Sequence, residues 1–297
     1  MKNLVMGVDI GGSHITAMLI DLDQRIEVEG TWNRSKLNSG GSANDIISKW
    51  AETICKTMDS YAYKPSKIAI AMPGPMDYHN GICKIKDQGK YHSLFGLNIK
   101  FLLADKLGLS PNQIDFVNDA ACFLRGELYV GSLASYDQAI GMTLGTGLGT
   151  SHTVNGKVYD SNLWKMPFKK GIAEDYISTR WFTNRFEELS GHSVIDVKDI
   201  ITNHRNSPAF KSLFEEFSAN LAEFIYKFIR KKMPLAAVIG GNIAKAEAYF
   251  LDDTRKILLD KMGYSFPIKI SNLGEKAALI GAGSFSEDVA KSIYTYE

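Results

Sequence analysis

Three glycine-rich turns, each directly after a short apolar run, are the residues in this sequence best suited to chemistry. They are Gly11-Gly12-Ser13, Gly145-Thr146-Gly147 and Gly240-Gly241-Asn242. Glycine lacks a Cβ, so such turns let backbone N–H groups approach an anion closely. The first two turns suit the β- and γ-phosphates of a nucleotide, with Ser13 and Thr146 as added hydroxyl donors. The third suits an adenine and ribose. Asp9 stands at the mouth of the first turn, where a carboxylate can hold Mg²⁺ directly or through water. A plain hairpin is the alternative reading of each turn taken alone. No G-x-x-x-x-G-K-[ST] segment occurs, and strand-like residues rather than a helix follow Gly149. A P-loop and a dinucleotide fold are therefore not expected.

A second acid, Asp119, follows Phe116-Val117-Asn118 and precedes a helical pattern. Aspartate there is a good helix cap, which is its simplest role. The helix dipole also favours its ionised form. Phosphoryl transfer to an alcohol needs a carboxylate to position the hydroxyl and accept its proton. Asp119 is the candidate.

The elements that must carry these residues alternate between strand and helix patterns, an α/β arrangement. Leu4–Ile10, His14–Ile20, Ile26–Trp32, Ile68–Met72, Ala139–Thr143, Ser151–Val154, Ala236–Ile239 and Ile268–Ile270 read as strands. Asn155-Gly156 marks a hairpin. Ile46, Ile47, Trp50, Ala51, Ile54 and Met58 fall at helical spacing within 42–58. Phe101–Leu107, 118–129, Glu174–Leu189, Pro208–Lys232, a stretch ending near Met262 and another from Glu275 also read as helices. Residues 7–13 resemble residues 141–147 at one offset, since 141 − 7 and 145 − 11 both equal 134. One strand–turn–strand unit is thus used twice.

Composition narrows the class. The 297 residues carry 34 Lys and Arg against 33 Asp and Glu, for a net charge of +1. That balance lacks the basic footprint of a nucleic-acid binder. The 45% hydrophobic share is enough for a buried core. Three scattered cysteines (Cys55, Cys83, Cys122) fit reduced thiols. With no leader pattern and no membrane-length apolar run, a cytoplasmic protein is expected, with no membrane partner. His192 reads as a loop residue, Arg230-Lys231-Lys232 as a solvated helix end, and Trp50, Trp181 and the phenylalanines of 208–232 as core.

Taken together, these motifs resemble the ROK family of sugar kinases, in the hexokinase–actin–Hsp70 ATPase superfamily. Asp9-Ile10-Gly11-Gly12-Ser13 is similar to the family's first phosphate motif, with Ser for the usual Thr. Pro73-Gly74-Pro75-Met76-Asp77 resembles its sugar-side loop, and Val117-Asn118-Asp119-Ala120 its catalytic-base motif. Thr143–Gly149 resembles the second phosphate motif, Ile239–Asn242 the adenosine motif, and Leu279-Ile280-Gly281-Ala282 the closing helix. The resemblance implies a two-lobed, duplicated RNase H-like fold with a central cleft. Its lobes would be 1–117 plus about 284–297, and 118–283. It implies ATP with Mg²⁺ phosphorylating a hexose or N-acetylhexosamine, at the 6-hydroxyl, with Asp119 as base. Gly74, Pro75, Asn118 and Glu174 would meet the sugar, and the family suggests a homodimer.

The chain also departs from the family pattern. A Gly-Glu-x-Gly-His segment is usual before Glu174; here Asn162 stands for the Glu and Lys165 for the His. That His normally ligates zinc beside a cysteine cluster, so no structural zinc is expected. Lys165 either reaches solvent or favours a different, even anionic, substrate. A non-catalytic sugar-binding regulator is therefore a second reading. The first strand begins near Leu4, which leaves no expected room for a DNA-binding module. A chaperone- or actin-type ATPase would need added subdomains.

Overall fold

The computed structural model describes residues 3–86 and 89–294, with side chains to residue 286. Unit 1 contains Met1–Gly131 and Glu275–Glu297; unit 2 contains Ser132–Gly274.

In unit 1, β1 (Leu4–Ile10) and β2 (His14–Asp21) form an antiparallel hairpin. The short strands β3 (Ile26–Glu27) and β4 (Asn33–Lys36) pair with β2. Helix α1 (Ala43–Asp59) then leads to β5 (Lys67–Met72) and the small hairpin β6 (Met76–Asp77) and β7 (Ile82–Cys83). Helix α2 (Ile99–Leu107), β8 (Ile114–Asn118) and α3 (Asp119–Tyr129) complete the first pass. Strands β1, β5 and β8 run parallel, so the sheet order is β3-β2-β1-β5-β8.

Unit 2 repeats this plan. Strands β9 (Ala139–Leu144), β10 (Leu148–Val154) and β11 (Lys157–Asp160) form an antiparallel meander. The hairpin β12 (Pro167–Phe168) and β13 (Gly171–Ile172) is followed by α4 (Thr179–Ser190), α5 (Val197–Asn203) and α6 (Pro208–Lys232). Then come β14 (Ala236–Gly240), α7 (Leu251–Met262) and β15 (Ile268–Ile270). Strands β9, β14 and β15 are parallel and the order is β11-β10-β9-β14-β15. Both sheets therefore place an antiparallel hairpin beside a parallel run, and the equivalent strands β1 and β9 carry the repeated motif. The duplicated α/β architecture expected from the sequence is the one observed.

Local physics explains the elements. The parallel central strands are apolar almost throughout because both faces are covered. Helix α1 begins where the Ser42 hydroxyl accepts from the Asp45 N–H at 3.2 Å. It buries Ile46, Ile47, Trp50, Ala51 and Ile54. In α6, Ser207 caps, Pro208 opens the helix, and five phenylalanines (Phe210, Phe214, Phe217, Phe224, Phe228) enter the core of unit 2. Helix α8 (Lys276–Tyr294) returns to unit 1 and packs on α3, β1 and β5. Glycines permit its close approach: a Cβ on Gly7 would overlap the Leu279 carbonyl, and one on Gly281 the Cys122 carbonyl.

That packing moves the expected lobe boundaries. Helix α3 and residues 275–283 pack with the first sheet, so the division falls after Gly131 and Gly274 rather than at 117/118 and 283/284. Residues 295–297 of the expected first lobe lie outside the described residues. Three element expectations also change. The stretch 26–32 is a strand only at Ile26–Glu27, because Gly30 turns left-handed (φ 77°) and the Thr31 hydroxyl ties back to Val28 O at 2.6 Å. Helix 174–189 is a 3-10 turn at Ala173–Asp175 followed by α4, since Ser178 is extended and the Thr179 N–H donates to Gly145 O at 2.8 Å. The helix ending at Met262 is preceded by a separate 3-10 stretch, Ile243–Tyr249. Lys232, expected to be solvated, is half-buried with Nζ 2.9 Å from His152 Nε2.

Candidate functional site

Strand β1 ends at Ile10 with Asp9 in register opposite Ala71 of β5, and Ala71 opposite Val117 of β8. Asp9 and Asp119 thus emerge at the carboxyl ends of parallel strands two places apart, about 10 Å by strand spacing. In open α/β sheets this is the edge where ligands bind. Asn118 is the helix cap, its Oδ1 accepting from the Ala121 N–H at 3.0 Å. Its Nδ2 donates to the Tyr78 hydroxyl at 3.2 Å, which in turn donates to Met72 O. Capping therefore falls to Asn118, and Asp119 is the first helical residue, one oxygen accepting from the Ala120 N–H at 2.8 Å. A Cβ on Gly74 would lie 3.1 Å from the same Tyr78 hydroxyl, which places the 74–75 loop beside Asn118; Pro75 is exposed.

Burial pushes the Asp9 carboxyl up to about 7; the neighbouring charges of Asp119 and Glu275 add to the rise, and Arg34 opposes it. Arg34 is itself paired with Glu275 at 2.5 Å. Asp9 and Asp119 are thus two acids that repel across a short span. Among the described residues no cluster of three or more His, Cys, Asp or Glu is placed to hold a metal. A single carboxylate such as Asp9 suffices for Mg²⁺, which keeps waters and substrate phosphates as its other ligands. The residues present fit that ion.

Beside these acids the first glycine turn is bare. Gly12 and Ser13 are exposed, and the Gly11 N–H closes the turn onto His14 O at 2.9 Å. The Ser13 hydroxyl lies 2.9 Å from His14 Nδ1. A Cβ on Gly11 or Gly12 would find only ordinary contacts near 3.7 Å, and neither has a left-handed backbone. The protein's own packing does not demand glycine there, whereas an anion approaching the backbone does.

The second and third turns share a neighbourhood within unit 2. Gly145 has open space where a Cβ would stand, and Thr146 is exposed. The Gly145 carbonyl accepts from both the N–H and hydroxyl of Thr179, at 2.8 and 3.0 Å. Glu174 sends Oε2 to the Leu148 N–H at 2.9 Å, and that oxygen lies 2.6 Å from where a Gly147 Cβ would be. Gly240 pairs with Thr143 in register, and Gly241, with φ 88°, would drive a Cβ into the Leu144 backbone. Asn242 is exposed, its Oδ1 accepting from Lys245 Nζ at 3.0 Å. The variant segment folds as a 3-10 turn, Leu163–Lys165. There Asn162 is left-handed (φ 52°), its Oδ1 takes the Trp164 indole N–H at 3.1 Å, and Lys165 is exposed.

Sequence reasoning missed Tyr78, Arg34, Glu275, Tyr91 and Thr179. Arg34, Tyr78 and Tyr91 lie on an edge strand or in loops outside any periodic pattern, Thr179 and Glu275 lie at helix starts, and the contacts that matter are long-range ones within each unit.

The ROK family model matches residues 5–162, more than half of the sequence. The chain belongs to the ROK family. Among similar ROK-like proteins, a glucokinase of Thermotoga maritima is 23% identical, over 97% of this chain and 98% of its own. The N-acetylgalactosamine kinase AgaK of a Shewanella species is 22% identical over 93% and 94%. Among solved structures, a ROK glucokinase from Streptomyces griseus in complex with glucose and AMPPNP superposes with TM-score 0.77 at 19% identity. That match covers 96% of this chain and 99% of that one. No helix among the described residues is long and apolar enough to cross a membrane.

Proposed function

We propose that this ROK protein is an ATP-dependent sugar kinase, phosphorylating a hexose or N-acetylhexosamine at its 6-hydroxyl. The observation that carries this reading is the pairing of Asp9 and Asp119 beside a glycine turn that needs glycine for no reason of its own folding. Similarity to a glucokinase and an N-acetylgalactosamine kinase over nearly full length supports it. Asp119, relieved of capping by Asn118, orients the sugar hydroxyl and takes its proton as the phosphoryl group leaves the nucleotide. The Gly11-Gly12 and Gly145–Gly147 turns take the phosphates, the N–H groups of Gly11 and Gly145 closing the turns and those of Gly12 and Gly147 serving as backbone donors, with Ser13 and Thr146 as hydroxyl donors. Gly240, Gly241 and Asn242 take the adenosine. Gly74, Pro75, Asn118, Asn162, Lys165 and Glu174 line the sugar side.

Mg²⁺, when bound with the nucleotide, neutralises charge developing on the phosphates. Asp9 is the residue to hold it, directly or through water. The elevated carboxyl of Asp9 suits this role, because a divalent cation removes the repulsion that Asp119 imposes.

The tie between Asn162 and Trp164, with Lys165 exposed, favours a second reading: a sugar-binding regulator that does not turn over. A coupled ADP-release screen across hexoses, amino sugars and N-acetyl sugars, with and without Mg²⁺, separates the two. Sugar- and Mg²⁺-dependent ADP release is the expected result. Sugar binding with no ADP formed across the panel contradicts it and supports the regulator. A cytoplasmic homodimer completes the proposal.

A further inference from the structure

The segment 89–91 is clamped to the first glycine turn. Gly89 (φ 68°) and Tyr91 (φ 59°) both occupy the left-handed region and flank Lys90. That conformation is unfavourable for a bulky residue, so it persists only where surroundings impose it. For Tyr91 the surroundings are plain. Its N–H donates to Ser39 O at 2.8 Å and its carbonyl accepts from the Leu94 N–H at 3.0 Å. Its ring is fully buried edge-on against Trp50, with centroids 5.8 Å apart. Its hydroxyl donates to the Gly11 carbonyl. Loop and turn therefore form one fixed piece.

Lys90 is what this clamp delivers. Its Cδ lies 3.7 Å from the point a Gly12 Cβ would occupy, so its stem runs along the turn and its ammonium is two bonds further on. Lys90 is half-buried and makes no ion pair or side-chain hydrogen bond among the described residues. A half-buried lysine with no carboxylate partner among the described residues, its stem beside the exposed Gly12, brings an ammonium to the turn's backbone as a further donor for a phosphate oxygen.

We propose that Lys90 is a phosphate ligand that contacts the terminal phosphate of the nucleotide held at the first glycine turn. This rests on the kinase reading above. The test compares binding of AMPPNP and of ADP, each with Mg²⁺, to the full-length wild type, Lys90→Met and Lys90→Arg, with Tm measured for each. Hydrogen bonds to a charged group set the expected scale. Lys90→Met should weaken AMPPNP about 10- to 100-fold and ADP by less than about threefold at an unchanged Tm; Lys90→Arg should restore most of the loss. Should the Met variant give little folded protein, Lys90→Gln is the second neutral substitution and carries the same expectation. Wild-type binding of AMPPNP that neutral substitution leaves intact, or that falls in step with ADP, overturns the role of Lys90 while leaving the kinase reading in place. A wild type that binds neither nucleotide overturns both.

Discussion

Asp9 and Asp119, at strand ends two places apart in one sheet, are held in electrostatic conflict. Burial is the larger cause and the Asp119 charge the second, and together they hold the Asp9 carboxyl at about 7. The fold thus stores an unfavourable charge at the position proposed above to receive Mg²⁺, which is a common bargain between stability and activity at enzyme sites.

That conflict has a pH signature. The Asp9 carboxyl titrates near 3.8 when unperturbed and near 7 in the fold, so the folded state holds the extra proton between those values. Stability of the ligand-free protein should fall as pH rises from about 4 to 7, by about 2–4 kcal/mol from this group. Asp9→Asn should remove that dependence, raise Tm by several degrees at pH 8 and abolish turnover. Thermal melts from pH 4 to 8 check this. An Asp9→Asn protein with the wild-type slope contradicts it.

The glycines should divide into two classes. Gly241→Ala puts a Cβ into the Leu144 backbone at a left-handed position and should cost about 3 kcal/mol or more, read as a large loss of Tm or of folded yield. Gly145→Ala enters open space and should leave Tm within a degree or two while weakening nucleotide binding about tenfold. Calorimetry of both variants decides. Equal Tm losses would mean that Gly145 serves the fold and not a phosphate.

Glu174 should act through its contact with the second turn as well as on sugar. Its carboxylate accepts from the Leu148 N–H, so Glu174→Gln retains an acceptor and Glu174→Ala does not. The Ala variant should lose about 1–2 kcal/mol of stability and the Gln variant well under half of that. Both should raise KM for sugar. Denaturation midpoints and sugar titrations of the two variants test it.

Much of this was legible in the sequence. Apolar runs of the right length with a glycine turn behind them located β1, β5, β9 and β14. The constant offset between residues 7–13 and 141–147 announced the duplication that the two sheet orders display. What stayed hidden had no local signal. The break before Thr179 arises because Gly145, distant in sequence, captures the N–H that would have continued the helix. The unit boundary after Gly131 reflects α8 seating on α3 through Gly126 and Gly281, a contact that local periodicity does not report. Lys90 and Tyr91 sit in a loop whose composition is unremarkable, and only the long-range bond from Tyr91 to Gly11 shows where they belong.

The most direct test of the account is the Asp119→Asn variant in the ADP-release assay, run beside wild type on the best sugar of the panel, with nucleotide and sugar binding measured in parallel. Sugar-dependent ADP release should fall at least about a thousandfold, while nucleotide and sugar still bind within a few-fold of wild type. A variant that keeps wild-type turnover would show that Asp119 is not the base and would remove the claim on which the rest stands.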